Sequence, residues 1–226
     1  MDKKLIFDLG FLNGEDSSYY ISKGYRVVAV EANPLLCTSA KERFKKELES
    51  GDLIICNKAI YEDSSSVIDF YINEERNEVS STQKWIAGQN DSKVKTVKVE
   101  TMNLSTMIVE FGEPHYVKVD IEGMDKEISR QMPEINFRPE YVSFELNKTD
   151  YSDIFMNLKL ARYKEFQIIN QIHNNPNCSG DFGAHLPDEN WISFEDALSR
   201  YIKYRELKII DNVNLGVGWV DLHARM

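Results

Sequence analysis

Two stretches of this chain place charged side chains at the ends of apolar runs. The first is LIFDLGFLNGED, residues 5–16. Three apolar residues meet Asp8, Gly10 and Gly14 bracket a short turn, and the turn ends on Glu15 and Asp16. The second is VKVDIEG, residues 117–123, where Lys118, Asp120 and Glu122 alternate. In an extended chain that spacing puts all three on one side. Between them, RVVAVE ends on Glu31, about twenty residues after the glycine turn, where a carboxylate can accept both hydroxyls of a ribose. An exposed acid at a strand end is the plainer reading of Glu31.

The glycine turn discriminates among phosphate-bearing and phosphate-free cofactors. A dinucleotide requires glycines that let backbone approach its pyrophosphate, and the third glycine of such a pattern is Asp16 here. Acids at a helix N-terminus also repel an anionic diphosphate. The G-x-x-x-x-G-K-[ST] pattern of a P-loop is absent. S-adenosylmethionine suits the turn better: it has no phosphate, and its sulfonium is positive. On this reading Asp8, Gly10, Asn13, Gly14, Glu31 and Asp120 are the cofactor-binding candidates. An NAD(P)-dependent oxidoreductase is the rival enzyme, and a non-catalytic module that binds S-adenosylmethionine is the rival from another class. Tyr-x-x-x-Lys, a dehydrogenase pattern, occurs at Tyr19–Lys23 and Tyr204–Lys208, and chance explains both in a chain rich in these residues.

Candidate catalytic residues are Asp120, His185, Glu122 and Lys118. His185 is the first choice for a general base because imidazole titrates near neutral pH, and Asp120 is its rival. The competing reading of the second stretch is a Lys–acid pair plus an acid offsetting the next helix dipole. Glu145 and Asn147 end another strand and, with Asp120, could offer oxygen ligands to a hard cation. Acceptor binding by hydrogen bonds without a metal is preferred. His173 shares a Gly- and Asn-rich stretch with His185, while His115, His223, Trp191 and Trp219 read as structural.

These positions need an alternating frame. Residues 4–9, 26–31 and 53–60 read as buried strands, and 16–23 as a helix closed by Gly24. Asn33 caps and Pro34 opens a helix carrying Leu36, Ala40, Phe44 and Leu48 inward until Gly51. Strand–helix alternation implies a parallel sheet with right-handed crossovers. Val67–Ile72 reads as a further strand, and 73–95 as a polar loop or lid around an isolated Trp85. Helices follow at 104–111, 124–132 and 152–161, with strands at 115–120, 141–145 and 166–171. Residues 172–213 form an acceptor-side insertion in which Ser193 and Asp196 cap a helix, and 216–222 is the last strand. No linker divides the chain, so 1–226 reads as one domain.

Bulk composition narrows the function. The net charge is −10, which argues against general binding to nucleic acid. No apolar run reaches the length of a membrane span. Cys37, Cys56 and Cys178 are scattered and suit reduced thiols in cytoplasm.

FDLGFLNGEDSSYYISKGYRVVAVEANP, YVKVDIEGMDKEI, PEYVSFEL, SGDFG and GWVDLHAR together resemble the FkbM-type methyltransferases. The matches run in order from about residue 6 to 225. The resemblance implies a Rossmann-like class I methyltransferase fold. That fold is a mostly parallel seven-stranded sheet with helices on both faces and an antiparallel C-terminal strand. It implies S-adenosylmethionine as donor, contacts from Asp8, Gly10, Gly14 and Glu31, Asp120 flanking the site, and O-methylation of a sugar, glycan or secondary metabolite. Phe11 and Leu12 depart from the small residues usual in the turn.

Overall fold

The computed structural model describes residues 3–147, 149–171, 190–206, 209–210, 213–214 and 220–226. Its centre is a seven-stranded sheet. The strands in chain order are β1 (Leu5–Leu9), β2 (Arg26–Val30), β3 (Leu53–Cys56), β7 (Tyr116–Val119), β8 (Tyr141–Glu145), β9 (Glu165–Asn170) and β12 (Val220–Arg225). Across the sheet they lie in the order β3-β2-β1-β7-β8-β12-β9. All neighbours are parallel except β12, which runs antiparallel to both β8 and β9. The strand order reverses between β1 and β7, and open α/β sheets place their ligand crevice at such a reversal.

Helices cover both faces. Against one face lie α1 (Glu15–Ser22) and α2 (Pro34–Arg43), with Tyr20, Ala40 and Phe44 packed on Ile6, Val27, Ala29 and Tyr116. Against the other lie α5 (Leu104–Phe111), α6 (Asp125–Gln131), α7 (Tyr151–Leu160) and α8 (Phe194–Glu206). Their Met107, Ile128, Phe155 and Tyr201 meet Phe7, Val117, Phe144 and Leu222. The alternation of Ile6 and Phe7 between two cores is the period of two expected of a strand covered on both sides.

Three sequence expectations change. The helix expected from Pro34 to Gly51 is two helices, α2 and α3 (Lys45–Ser50), broken at Phe44 with φ −106° and ψ 29°. The Phe44 ring sits edge-on to Phe11 at 5.6 Å, so the break serves the packing of the glycine turn. The strand expected over 53–60 splits into β3 and β4 (Ala59–Ile60), and β4 leaves for a second sheet. That sheet, ordered β4-β6-β5, contains β5 (Val67–Asn73) and β6 (Val94–Met102). The sequence reading had no β6, although Val97, Val99 and Thr101 alternate inward with exposed Lys98 and Glu100. Residues 73–95, expected as a polar loop, fold into a 3-10 turn at Asn77–Val79, the short α4 (Lys84–Ala87) and a second turn at Gln89–Asp91. Two short strands, β10 (Ile209–Ile210) and β11 (Val213–Asn214), pair with each other. The last strand starts at Val220 among the described residues; 216–219 lie outside them.

Among the described residues, no helix is long and apolar enough to cross a membrane.

Candidate active site

The register of the sheet builds the site. One row of paired residues crosses β1, β7, β8, β12 and β9 as Asp8, Lys118, Ser143, His223 and Gln167. All five are buried. A lysine at the centre of a doubly covered sheet needs neutralising partners. Lys118 Nζ has three: Asp16 Oδ2 at 2.7 Å, Asp120 Oδ2 at 3.2 Å and Asp8 Oδ1 at 3.8 Å. Burial alone would lower the Lys118 pKa, but the carboxylates of Asp16, Asp120 and Asp8 outweigh it and hold it well above the ordinary lysine value. Lys118 therefore stays protonated and holds acids in place; it is no base. Asp8 moves the other way: burial lifts it to about 6, against the pull of Lys118, and its second oxygen accepts from Ser17 Oγ at 2.6 Å.

The turn after β1 is fixed from two sides. Gly10 adopts φ +93°, and a Cβ there would stand 1.9 Å from the backbone oxygen of Asp120. Glycine is needed because β1 and β7 converge, and the same contact brings Asp120 beside the turn. Leu12 takes φ +48°, unusual for a leucine, and its N–H donates to Glu31 Oε2 at 2.9 Å. Glu31 Oε1 accepts from the Asn33 N–H at 2.7 Å. Glu31 thus ties the end of β2 to the first turn; burial raises its pKa while these backbone donors pull it down. Arg43 donates to the Asn13 carbonyl at 2.6 Å and closes the turn from α2.

A cavity of about 800 Å³ opens at these strand ends. Gly10, Asn13, Glu31, Lys118, Asp120 and Glu122 all line it. Six of the sequence candidates therefore meet at one place. Asp8 and Gly14 do not line it. Asp8 lies beneath Lys118, and a Cβ on Gly14 would strike the Phe11 ring at 2.3 Å, so that glycine makes room for protein rather than ligand. His185 and His173 lie outside the described residues, as does Trp219.

Asn147 does not join Asp120 and Glu145. Its Oδ1 accepts from Thr149 N at 3.0 Å and Asp150 N at 2.7 Å, which commits it to the turn before α7. Among the described residues no group of three or more His, Cys, Asp or Glu is arranged to hold a metal ion. His115 pairs with Glu140 at 3.0 Å at the start of β7, Trp191 is buried with Arg225 4.7 Å from its ring, and Trp85 is exposed.

Glu145 lines the same cavity. Burial first, and the charge of Asp120 next, push it up to about 10; the same two causes push Glu122 up to about 7. A carboxyl that titrates near neutral pH beside a cavity can take and release a proton.

The cavity's roof comes from the segment between β5 and β6, which the sequence reading did not credit with contacts. Ser81 Oγ donates to the Glu122 carbonyl at 2.6 Å and Gln83 Nε2 to the Gly123 carbonyl at 2.6 Å. Asn73, fully buried, folds the segment back: its Oδ1 accepts from Glu75 N at 2.9 Å and Arg76 N at 2.8 Å, and its Nδ2 donates to the Ala87 carbonyl at 2.8 Å. Isolated polar residues in a polar stretch give no sequence signal of that role.

A family model described as "Methyltransferase FkbM domain" matches residues 8–168. No curated protein matches the chain. Among solved structures, the precorrin-6Y C5,15-methyltransferase from Geobacter metallireducens GS-15 shares 9% identity, with 99% of this chain and 80% of that one covered and a TM-score of 0.46. The C-terminal domain of the Rhodobacter capsulatus precorrin-6Y C5,15-methyltransferase shares 10%, with 75% and 67% covered and a TM-score of 0.43. A putative methyltransferase from Thermoplasma acidophilum shares 11%, with 99% and 68% covered and a TM-score of 0.43. At such identity and TM-score these three carry no argument about what the chain binds or does.

Proposed function

The chain belongs to the FkbM methyltransferase domain family, and from that premise we propose that it transfers a methyl group from S-adenosylmethionine to a hydroxyl oxygen of a sugar, glycan or secondary metabolite. The supporting observation is the cavity at the sheet's reversal point, where Glu31 and the Asp120–Glu122 pair face one space. Its size suits a small-molecule site. Its acids suit a positive sulfonium, and the described cations at the glycine turn are engaged within the protein: Lys118 by Asp16, Asp120 and Asp8, and Arg43 by the Asn13 carbonyl.

Glu31 with the Gly10–Asn13 turn would hold the ribose end of the donor, and Asp120 would flank the transferable methyl. Bound there, the donor supplies an electrophilic methyl on sulfur. The protein's own part is positioning in a water-poor cleft, which accounts for most of the acceleration in such transfers. Glu122, whose carboxyl burial pushes up to about 7, would accept the acceptor's hydroxyl proton, a contribution of about a hundredfold or more. Asp120, anchored by Lys118, orients the acceptor; His185 remains the other base candidate. Residues 1–226 would act as one methyltransferase domain, with 73–95 as its roof and 172–213 on the acceptor side. The free Cys37 and Cys56 suit a reducing compartment such as cytoplasm.

The test is calorimetry of the chain with S-adenosylmethionine and with NAD. Micromolar binding of the first alone, lost in Glu31→Ala and weakened in Glu31→Gln, supports the proposal. Binding of NAD alone refutes it, and donor binding without a mass shift on any hydroxylated acceptor favours the non-catalytic module.

A further inference from the structure

The cavity is one-sided in charge. Among the described residues that line it, seven carboxylate side chains face three cations. Each cation is already engaged: Lys58 with Glu100 at 3.3 Å, Arg76 with Glu78 at 3.0 Å, and Lys118 with Asp16 at 2.7 Å. Glu122 and Glu145 have no ion-pair partner among the described residues. Instead each is crowded by the Asp120 charge, which adds to burial in holding both carboxyls above their ordinary range.

A second cavity, of about 460 Å³, shares Thr82 and Met124 with the first. Glu62, Asp69 and Glu127 line it, and no lysine or arginine does. Two of those acids are paired with cations outside the lining, Asp69 with Lys98 at 2.9 Å and Glu127 with Arg130 at 2.5 Å. The Thr82 hydroxyl oxygen on the shared wall is buried and has no hydrogen-bond partner among the described residues.

We infer that the methyl acceptor is an amine-bearing polyol, of the amino-sugar or aminocyclitol class, and that Glu122 and Glu145 select it against phosphorylated or carboxylated compounds. The inference rests on the reading of this cavity as a methyl-acceptor site. An ammonium near Glu122 and Glu145 is attracted by the Asp120 charge and by each of the two carboxyls as it ionises, whereas an anion is repelled by them. Because burial and the Asp120 charge push Glu145 up to about 10, binding of an ammonium also drives its proton out.

The experiment is calorimetry on the full chain saturated with S-adenosylhomocysteine. The probes are kanamycin A, its fully N-acetylated form, and glucose 6-phosphate. Kanamycin A should bind about tenfold tighter than the acetylated form, with glucose 6-phosphate weakest. The gap should shrink as salt is added. Titrations in two buffers of different ionisation enthalpy should show proton release. Glu145→Gln should abolish that release and narrow the gap to below about threefold. Glu122→Gln should narrow it independently, and carries the comparison if the first variant loses its fold. Equal binding of the amino and acetylated probes, preference for glucose 6-phosphate, or no saturable binding of kanamycin A overturns the inference. S-adenosylmethionine is titrated into the same preparation without S-adenosylhomocysteine. Failure there removes the methyltransferase reading while leaving the charge preference measurable; donor binding with no amine preference removes only the latter.

Discussion

Replacing Lys118 by methionine keeps the length of the side chain and deletes its charge. In the native protein that charge stands 2.7 Å from Asp16, 3.2 Å from Asp120 and 3.8 Å from Asp8, in a residue only 3% exposed. At an effective dielectric of about 20, each contact at this range is worth about 4–6 kcal/mol before desolvation is subtracted. Removing one partner of a buried pair costs about 3–5 kcal/mol net. Domains have about 5–15 kcal/mol in total, so Lys118→Met should be close to the limit of folding at neutral pH. The pH dependence identifies the cause. Asp8 already lies near 6 with Lys118 present, above its unfolded value, and losing the lysine raises it further. A carboxyl held above its unfolded pKa destabilises the fold in full at pH above its folded value. The cost fades as pH falls and is gone below about 3.9. The deficit of Lys118→Met should therefore shrink by about half or more between pH 8 and pH 5. Urea unfolding followed by circular dichroism at both pH values measures it, with the exposed Lys84→Met as a control expected within about 0.5 kcal/mol of the native protein. A loss below about 1 kcal/mol, or one that does not change with pH, refutes the clamp.

Gly10→Ala should cost more than about 3 kcal/mol or prevent folding, because a left-handed φ and a backbone clash combine there. Gly51→Ala, with φ +76° but open space around it, should cost about 1 kcal/mol; equal effects on the two urea midpoints would show that the Asp120 approach is loose. His223 is buried with neither ring nitrogen hydrogen-bonded among the described residues, and burial holds its pKa down at about 3. Its contribution is intact above the unfolded value near 6.5 and is lost as pH falls toward 3, so about 2 kcal/mol should have gone by pH 5. His223→Gln should lose correspondingly less stability than the native chain between pH 7 and pH 5 in urea titrations. Identical losses would place the acid sensitivity elsewhere.

The central sheet was legible because RVVAV and YVSF are near-continuous apolar runs, YVKV is one broken only by Lys118, and glycine or an Asn–Pro cap punctuates the chain between strands. Glu31, Asp120 and Glu122 were legible for the same reason: strand ends near a reversal face the ligand crevice. The pairing of Asp16 with Lys118 was not, because no local pattern records which residues two crossovers bring together. It changes the meaning of the acids at the first turn, since Asp16 is matched by a cation, while Glu122 and Glu145 on the same cavity have no ion-pair partner among the described residues. The second sheet was hidden by composition. β6 carries Thr96, Lys98 and Glu100 on its exposed side, and its period of two was the remaining sign. Phe44 reads as an inward helix position, and only its contact with Phe11 explains why the helix breaks there.

The strand from Val220 to Arg225 lies between β8 and β9, both of which precede it in the chain. A polypeptide still being synthesised, with residue 220 not yet out of the ribosome, has two bare strand edges where one continuous sheet will be. Those edges can pair with each other in the wrong direction or with a neighbouring nascent chain. The order of translation therefore leaves the interior of this sheet among the last parts that can close.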